Sequence, residues 1–128
     1  GLKKITRNDP DLRLHPELFF NISHSGEWIA CVLGNVPVGI DIQYHREIKL
    51  EQTARKICTP DEWKTFMQVG TEKGKKDFLF QIWTKKESYL KFTGDGIRRE
   101  LCEISYEGCR FYRLVMPEGY SGMVCVEN

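Results

Sequence analysis

The residues best placed to do chemistry are two acids and two lysines, set in surroundings that do not favour a freely solvated charge. Asp41 falls inside Val36-Pro37-Val38-Gly39-Ile40-Asp41-Ile42, an apolar, β-branched run that reads as a strand buried on at least one face. An ionised carboxylate there must be paired, hydrogen-bonded or bound to a cation, because unpaired burial costs several kcal/mol. A strand-end Asp accepting backbone N–H bonds would satisfy the same demand. Gly39, two residues earlier, leaves room for close approach of backbone or ligand. Glu87 lies in the run from Phe78 to Lys91, which is apolar in its first half and then carries Lys86, Glu87 and Lys91 among aromatics. At about 3.6 residues per turn, Trp83, Glu87 and Lys91 share one helix face, and Lys86 stands about 100° to one side. An amphipathic surface helix with a Glu87–Lys91 pair would explain that pattern alone, for a few tenths of a kcal/mol. The third feature is Phe20-Asn21-Ile22-Ser23-His24-Ser25-Gly26, a strand running into a small, hydroxyl-rich turn. Hydroxyls, an imidazole and a Gly-permitted turn can cradle an anion, although an ordinary polar turn looks the same.

The elements that must position these groups can be read along the chain. Strands are expected at 18–23, 27–33 and 36–43, with Gly34-Asn35 as the turn between the last two. Thr59-Pro60-Asp61-Glu62 is a helix start with Thr59 as N-cap, Pro60 at the first helical position and Glu62 closing a capping box. That helix runs to Val69 and stops at Gly70, and another covers 50–57. The long helix spans 75–92 and ends at the Gly94-Asp95-Gly96 turn. Three further strands are expected at 101–106, 109–116 and 121–127, divided by Glu107-Gly108 and Pro117-Glu118-Gly119. Strands, then helices, then strands predict an α+β domain, an antiparallel sheet with packed helices. Residues 1–17, polar and interrupted by Pro10 and Pro16, read as an N-terminal arm or connector, leaving 18–128 as the domain.

Composition narrows the function classes. With 128 residues the chain is one domain by length, and 41% hydrophobic residues suffice for a modest core. A net charge of +1 argues against a general nucleic-acid binder, whose phosphate contacts demand a strongly basic surface. The charge is uneven, however: Lys73, Lys75, Lys76, Lys85, Lys86, Lys91, Arg98 and Arg99 crowd the middle and could face an anionic partner. Five cysteines without a C-x-x-C pair read as reduced thiols in apolar strands rather than a structural zinc site. No apolar run approaches the length of a membrane span and no secretory leader opens the sequence, so the expectation is a cytoplasmic protein off the membrane.

With these residues laid out, the chain resembles the 4′-phosphopantetheinyl transferases, specifically the surfactin-synthetase-activating type. Three motifs match in order: Phe20-Asn21-Ile22-Ser23-His24-Ser25, then Val38-Gly39-Ile40-Asp41-Ile42, then Trp83-Thr84-Lys85-Lys86-Glu87-Ser88-Tyr89-Leu90-Lys91. The last is close to the family's W-[ST]-x-K-E-[AS]-x-x-K pattern and is the most specific. The resemblance implies transfer of the 4′-phosphopantetheine arm from coenzyme A to a serine of an acyl or peptidyl carrier protein, releasing adenosine 3′,5′-bisphosphate. It further implies that Asp41 and Glu87 bind Mg²⁺, that Ser23 and His24 contact coenzyme A phosphates, and that Lys86 and Lys91 lie at those phosphates. Lys91 would help neutralise the leaving group, and Glu87, directly or through water, would accept the serine proton. One cation shared by Asp41 and Glu87 would then satisfy both acids, since Mg²⁺ favours one or two carboxylates with water and substrate phosphates.

Two departures from the family pattern bear on that reading. Many relatives carry a second acid two residues after the strand Asp, where this chain has Gln43. Water or Gln43 would complete the Mg²⁺ shell. Relatives of the surfactin type are pseudo-dimers with coenzyme A between two halves, and this chain corresponds to the second half and the segment leading into it. It is therefore a fragment, or a chain that forms a homo-oligomer to complete its site. The competing reading is a non-catalytic half-domain that binds coenzyme A or a carrier protein. A Ser-His hydrolase built on Ser23 or Ser25 lacks the G-x-S-x-G elbow.

Overall fold

The structure is a computed structural model that describes residues 18–94 and 100–128. The expected arm at 1–17, the Asp95-Gly96 half of the turn, and Arg98 and Arg99 lie outside the described residues. The alternation of Asn21, Ser23 and Ser25 with Phe20, Ile22 and His24 gives β1 (Phe19–Ser25), and the apolar run from Trp28 gives β2 (Trp28–Gly34); the two form an antiparallel hairpin in which Ser25 pairs with Trp28. Its two-residue loop turns at Gly26, whose φ of 58° favours a residue without a Cβ. β3 (Val38–Tyr44) is the buried strand, and it pairs antiparallel with β5 (Tyr120–Glu127), which pairs in turn with β4 (Cys109–Arg113).

Between β3 and β4 in the chain come α1 (Leu50–Ile57), α2 (Pro60–Gln68) and α3 (Glu72–Thr93), and α3 packs on β3 and β5. The capping box is formed as expected: Thr59 N–H donates to Glu62 Oε1 at 2.8 Å and Glu62 N–H donates to Thr59 Oγ1 at 3.2 Å. α3 starts three residues earlier than its hydrophobic pattern indicates, because the Thr71 hydroxyl accepts from Gly74 N–H and caps a polar first turn. It stops at Gly94 in the left-handed conformation, φ 77°. The expected strand at 101–106 is replaced by a 3₁₀ turn at Leu101–Glu103 and an extended segment outside the sheet. Its apolar residues are explained by packing without pairing: Ile104 is buried against Tyr89, Leu90 and Cys125. β4 is also shorter than the expected 109–116, ending at Arg113 before Pro117.

A first core forms where α1 and α2 cover the front half of α3, around Ala54, Ile57, Phe66 and Leu79. A second joins the back half of α3 to β5 through Tyr89, Leu90 and Cys125. β1 lies beside β3 and is joined to it by side chains instead of a backbone ladder. Asn21 Oδ1, Ser23 Oγ and Ser25 Oγ accept, in turn, from the N–H groups of Ile40, Ile42 and Tyr44 at 2.8–2.9 Å. The two-residue spacing on each strand puts all three acceptors on one face.

Candidate functional site

Asp41 sits at the middle of β3, 4% exposed. Burial, outweighing its neighbours, pushes its carboxyl up to about 6, with Gln43 and Lys91 pulling down and Glu87 pushing up. Gln43 Nε2 donates to Asp41 Oδ2 at 3.0 Å, and Gln43 Oε1 accepts from Arg46 Nη1 at 3.4 Å. The Arg46 guanidinium lies 4.6 Å over the Trp83 ring, so strand and helix are latched at this corner. In this orientation Gln43 presents its amide N–H, not its oxygen, to Asp41. As a neutral donor it orients one carboxylate oxygen and leaves the other toward Lys91.

α3 delivers the remaining groups because β3 lets it come close. A Cβ on Gly39 would lie 2.6 Å from Phe92 N and nearer still to Ser88 O. The helix backbone therefore rests on the strand at the one β3 position without a side chain, through Ser88 and Phe92, the residues that directly follow Glu87 and Lys91. The Lys91 ammonium reaches Asp41 Oδ1 at 3.6 Å and donates to Ile40 O at 2.9 Å and to Ile22 O at 3.4 Å. Only the Ile40 contact is a short hydrogen bond, and the side chain is 31% exposed, so the ammonium can still meet an external anion. Glu87 is half-buried and close enough to Asp41 to act on its ionisation. Among the described residues it makes no hydrogen bond or ion pair within the protein. Asp41, Glu87 and Lys91 are thus brought together.

The other expected site residues are placed differently. Lys86 is fully buried and lies on the side of α3 away from this group. Its Nζ donates to Ile57 O and Leu101 O, and pairs with Glu62 Oε1 at 2.6 Å. The roughly 100° offset from Glu87 turns Lys86 into the α1–α2 corner, where protein oxygens take its three N–H donors, so the structure does not bring it together with Asp41, Glu87 and Lys91. Ser23 is buried, its hydroxyl accepting the Ile42 N–H, while His24 is exposed at the end of β1. Of the basic cluster, Lys73 pairs with Asp77, Lys76 with Glu47, and Lys85 lies 4.9 Å from the rings of Tyr106 and Phe111. A cavity of about 780 Å³ between the start of α1 and the α2–α3 corner, lined by Glu47, Phe66 and Lys75 among others, does not include Asp41, Glu87 or Lys91.

Among the described residues no cluster of three or more His, Cys, Asp or Glu side chains is arranged around a metal position. What the site offers is two carboxylates, and that is a donor set suited to Mg²⁺ when substrate phosphates and water complete the shell. The buried Asp41, ionised only with difficulty on its own, is the observation that favours a cation here. Sequence reasoning gave Glu62 its capping role but missed its pairing with Lys86; it considered Gln43 for a metal shell where the side chain donates to Asp41, and it missed Arg46. It also missed the alternating Asn21, Ser23 and Ser25, whose spacing was a readable signal of one polar strand face.

The model of the 4′-phosphopantetheinyl transferase superfamily matches residues 37–115, more than half of the chain. A 4′-phosphopantetheinyl transferase of Bacillus pumilus is 35% identical over 88 residues, covering 69% of this chain and 37% of that protein. The transferase Sfp of Bacillus subtilis is 34% identical over 96 residues, 75% of this chain and 41% of its own. The chain thus spans about two fifths of the length of these relatives. Among solved structures, the holo-[acyl-carrier-protein] synthase of Thermotoga maritima superposes with a TM-score of 0.57 at 15% identity, over 72% of this chain and 62% of that one. That likeness is one of fold. Together with the matched family model and the surfactin-type relatives, it means that this chain belongs to the 4′-phosphopantetheinyl transferase superfamily.

Proposed function

We propose that this domain carries out the Mg²⁺-dependent transfer of 4′-phosphopantetheine from coenzyme A to a serine of an apo acyl or peptidyl carrier protein. The observation that carries this reading is the meeting of Asp41, Glu87 and Lys91 across the β3–α3 contact. In the reaction the serine oxygen forms a bond to the β-phosphorus of coenzyme A, and the bond from that phosphorus to the bridging oxygen breaks. Adenosine 3′,5′-bisphosphate leaves. Both partners at phosphorus are electron-rich, so the protein contributes mainly positioning and charge neutralisation. Asp41 and Glu87 would hold Mg²⁺, which when bound neutralises charge on the diphosphate. Lys91 sets a cation beside Asp41, where a phosphate oxygen can take its exposed donor in place of the long Ile22 contact. At an effective dielectric near 20, unit charges about 4 Å apart interact by about 4 kcal/mol, so displacing this one ammonium would be felt in the rate. Glu87 accepts the serine proton, directly or through water. His24, exposed at the end of β1, can reach an anion; Ser23 serves it through the strand frame.

The test is mass spectrometry of an apo carrier incubated with the chain, coenzyme A and Mg²⁺. The expected result is an added mass of one phosphopantetheine. A second reading is a half-domain that binds coenzyme A or a carrier without turnover. A folded chain that binds coenzyme A by calorimetry but adds no mass, at concentrations where it self-associates, selects that second reading.

A further inference from the structure

We infer that Lys86 is a positioning residue that fixes the rotation of α3, and with it the direction of Glu87 and Lys91, from a helix face about 100° round from Glu87. The inference rests on the transferase reading for its effect on rate. Its geometry stands independently. The Lys86 ammonium joins the last turn of α1 through Ile57 O, the 3₁₀ turn through Leu101 O at 2.8 Å, and α2 through Glu62 Oε1 at 2.6 Å. Glu62 Oε1 also accepts Thr59 N–H at 2.8 Å, so one carboxylate caps α2 and balances the buried cation. An ammonium has three donors and all three are engaged. Lys86 precedes Glu87 directly, so any turning of α3 that swings Glu87 from Asp41 pulls the ammonium away from three oxygens at once. A buried charge parted from its counter-ion is strongly disfavoured, and the helix is held against that motion. Gly39 and Lys86 then divide the task. The glycine sets how near α3 lies to β3, and the lysine sets which way the helix faces.

The experiment compares the full chain with Lys86→Met, Glu62→Gln, Lys91→Met and the double variant Glu62→Met/Lys86→Met. Coenzyme A binding is measured by calorimetry, transfer by kcat and KM, and folding by thermal unfolding. Because small misplacements of catalytic groups cost up to about 100-fold, Lys86→Met is expected to lower kcat about 10- to 100-fold and to weaken coenzyme A binding by clearly less than Lys91→Met does. Glu62→Gln, a milder change, should move kcat the same way. Lys91→Met should weaken coenzyme A binding about tenfold or more, as loss of a phosphate-facing charge does. In the double variant the apolar pair removes the unpaired buried charge and so recovers part of the thermal stability lost in Lys86→Met, but kcat stays low, because the carbonyls of Ile57 and Leu101 still lack their donor and Thr59 N–H its acceptor. Coenzyme A binding weakened in Lys86→Met as in Lys91→Met would overturn the inference, as would an unchanged kcat. A double variant that recovers both stability and kcat would reduce Lys86 to a folding role and also overturn it. Hydrogen exchange separates this from failure of the transferase reading. Even in a chain that transfers nothing, Lys86→Met should speed exchange at residues 87–91 about tenfold with β3 and β5 unaffected. Exchange that is uniform or unchanged refutes the clamp itself.

Discussion

Gly39 and Ser88 touch backbone to backbone: there is no space for a methyl group between the strand and the Ser88 carbonyl, and Phe92 N lies 2.6 Å from where that methyl would be. This contact determines the separation of Asp41 from the helix that carries Glu87 and Lys91. Both walls are main chain, so neither yields by a rotamer change.

Gly39→Ala is therefore expected to destabilise the domain by about 1–3 kcal/mol, the usual range for overpacking, and by more if α3 cannot shift. Denaturant unfolding measures the loss. Should transfer be measurable, it should fall further than stability alone accounts for, because Lys91 moves from Asp41. A variant as stable and active as the parent would mean that the contact is slack.

Asp41→Asn and Glu87→Gln are expected to keep the fold and lose Mg²⁺-dependent transfer by several orders of magnitude, as removal of charge-neutralising ligands does. Circular dichroism and thermal unfolding check the first part, and carrier mass the second. Coenzyme A binding with and without Mg²⁺ should become indistinguishable in both variants. Retention of full activity in either one refutes the ligand role.

Ser23→Ala tests whether that hydroxyl belongs to the frame. It leaves the Ile42 N–H without an acceptor in a buried position, at a cost of about 1–3 kcal/mol. Coenzyme A affinity should change little while unfolding shifts clearly. The opposite pattern, stable protein with weak binding, would return Ser23 to the phosphates.

His45 gives the domain an acid-side sensitivity. Its ring stacks on Phe80 with centroids 4.6 Å apart, and its Nε2 is 2.7 Å from Ser121 Oγ. Burial lowers its pKa below the ordinary histidine value; Asp77 opposes this, and Lys76 and Lys73 add to it. The folded state thus disfavours the proton, and the unfolded state takes it up first as pH falls through about 6.5. Stability is full above that value and declines below it until the folded-state pKa is reached. His45→Phe should flatten the decline between about pH 7 and 5 in thermal unfolding. An identical slope in parent and variant would exclude His45 as its source.

Much of the architecture was legible from residue pattern, because the signals were local. Thr59-Pro60-Asp61-Glu62 specifies a helix start with its own side chains, and α2 begins there. Gly94 ends α3 for an equally local reason. The segment 101–106 was misread because an apolar alternation does not show whether its backbone finds a sheet edge; here Leu101 O is bound by a lysine and Ile104 is buried in a helix–sheet core. Glu87 and Lys91 could be grouped from their helical phase, and Asp41 was joined to them by the family resemblance. Lys86 could not be separated from them, since sequence gives the angle around α3 but not which neighbour occupies each direction. Nor could sequence show that Lys73, Lys76 and Lys85 already have partners, which leaves the middle of the chain less basic than its composition implies.

The three acceptors that β1 extends to β3 have a consequence for how the hairpin finds its place. In a sheet ladder every residue offers the same groups, so neighbouring alignments differ only through their side-chain packing. Along this seam, sliding β1 by a single position would bring Phe20, Ile22 and His24 opposite the waiting amides, two of them hydrocarbons with nothing to offer a proton. Correct alignment is thus written into the order of the letters Asn-Ile-Ser-His-Ser, as a key is cut, and mis-threaded hairpins announce themselves by amides left bare.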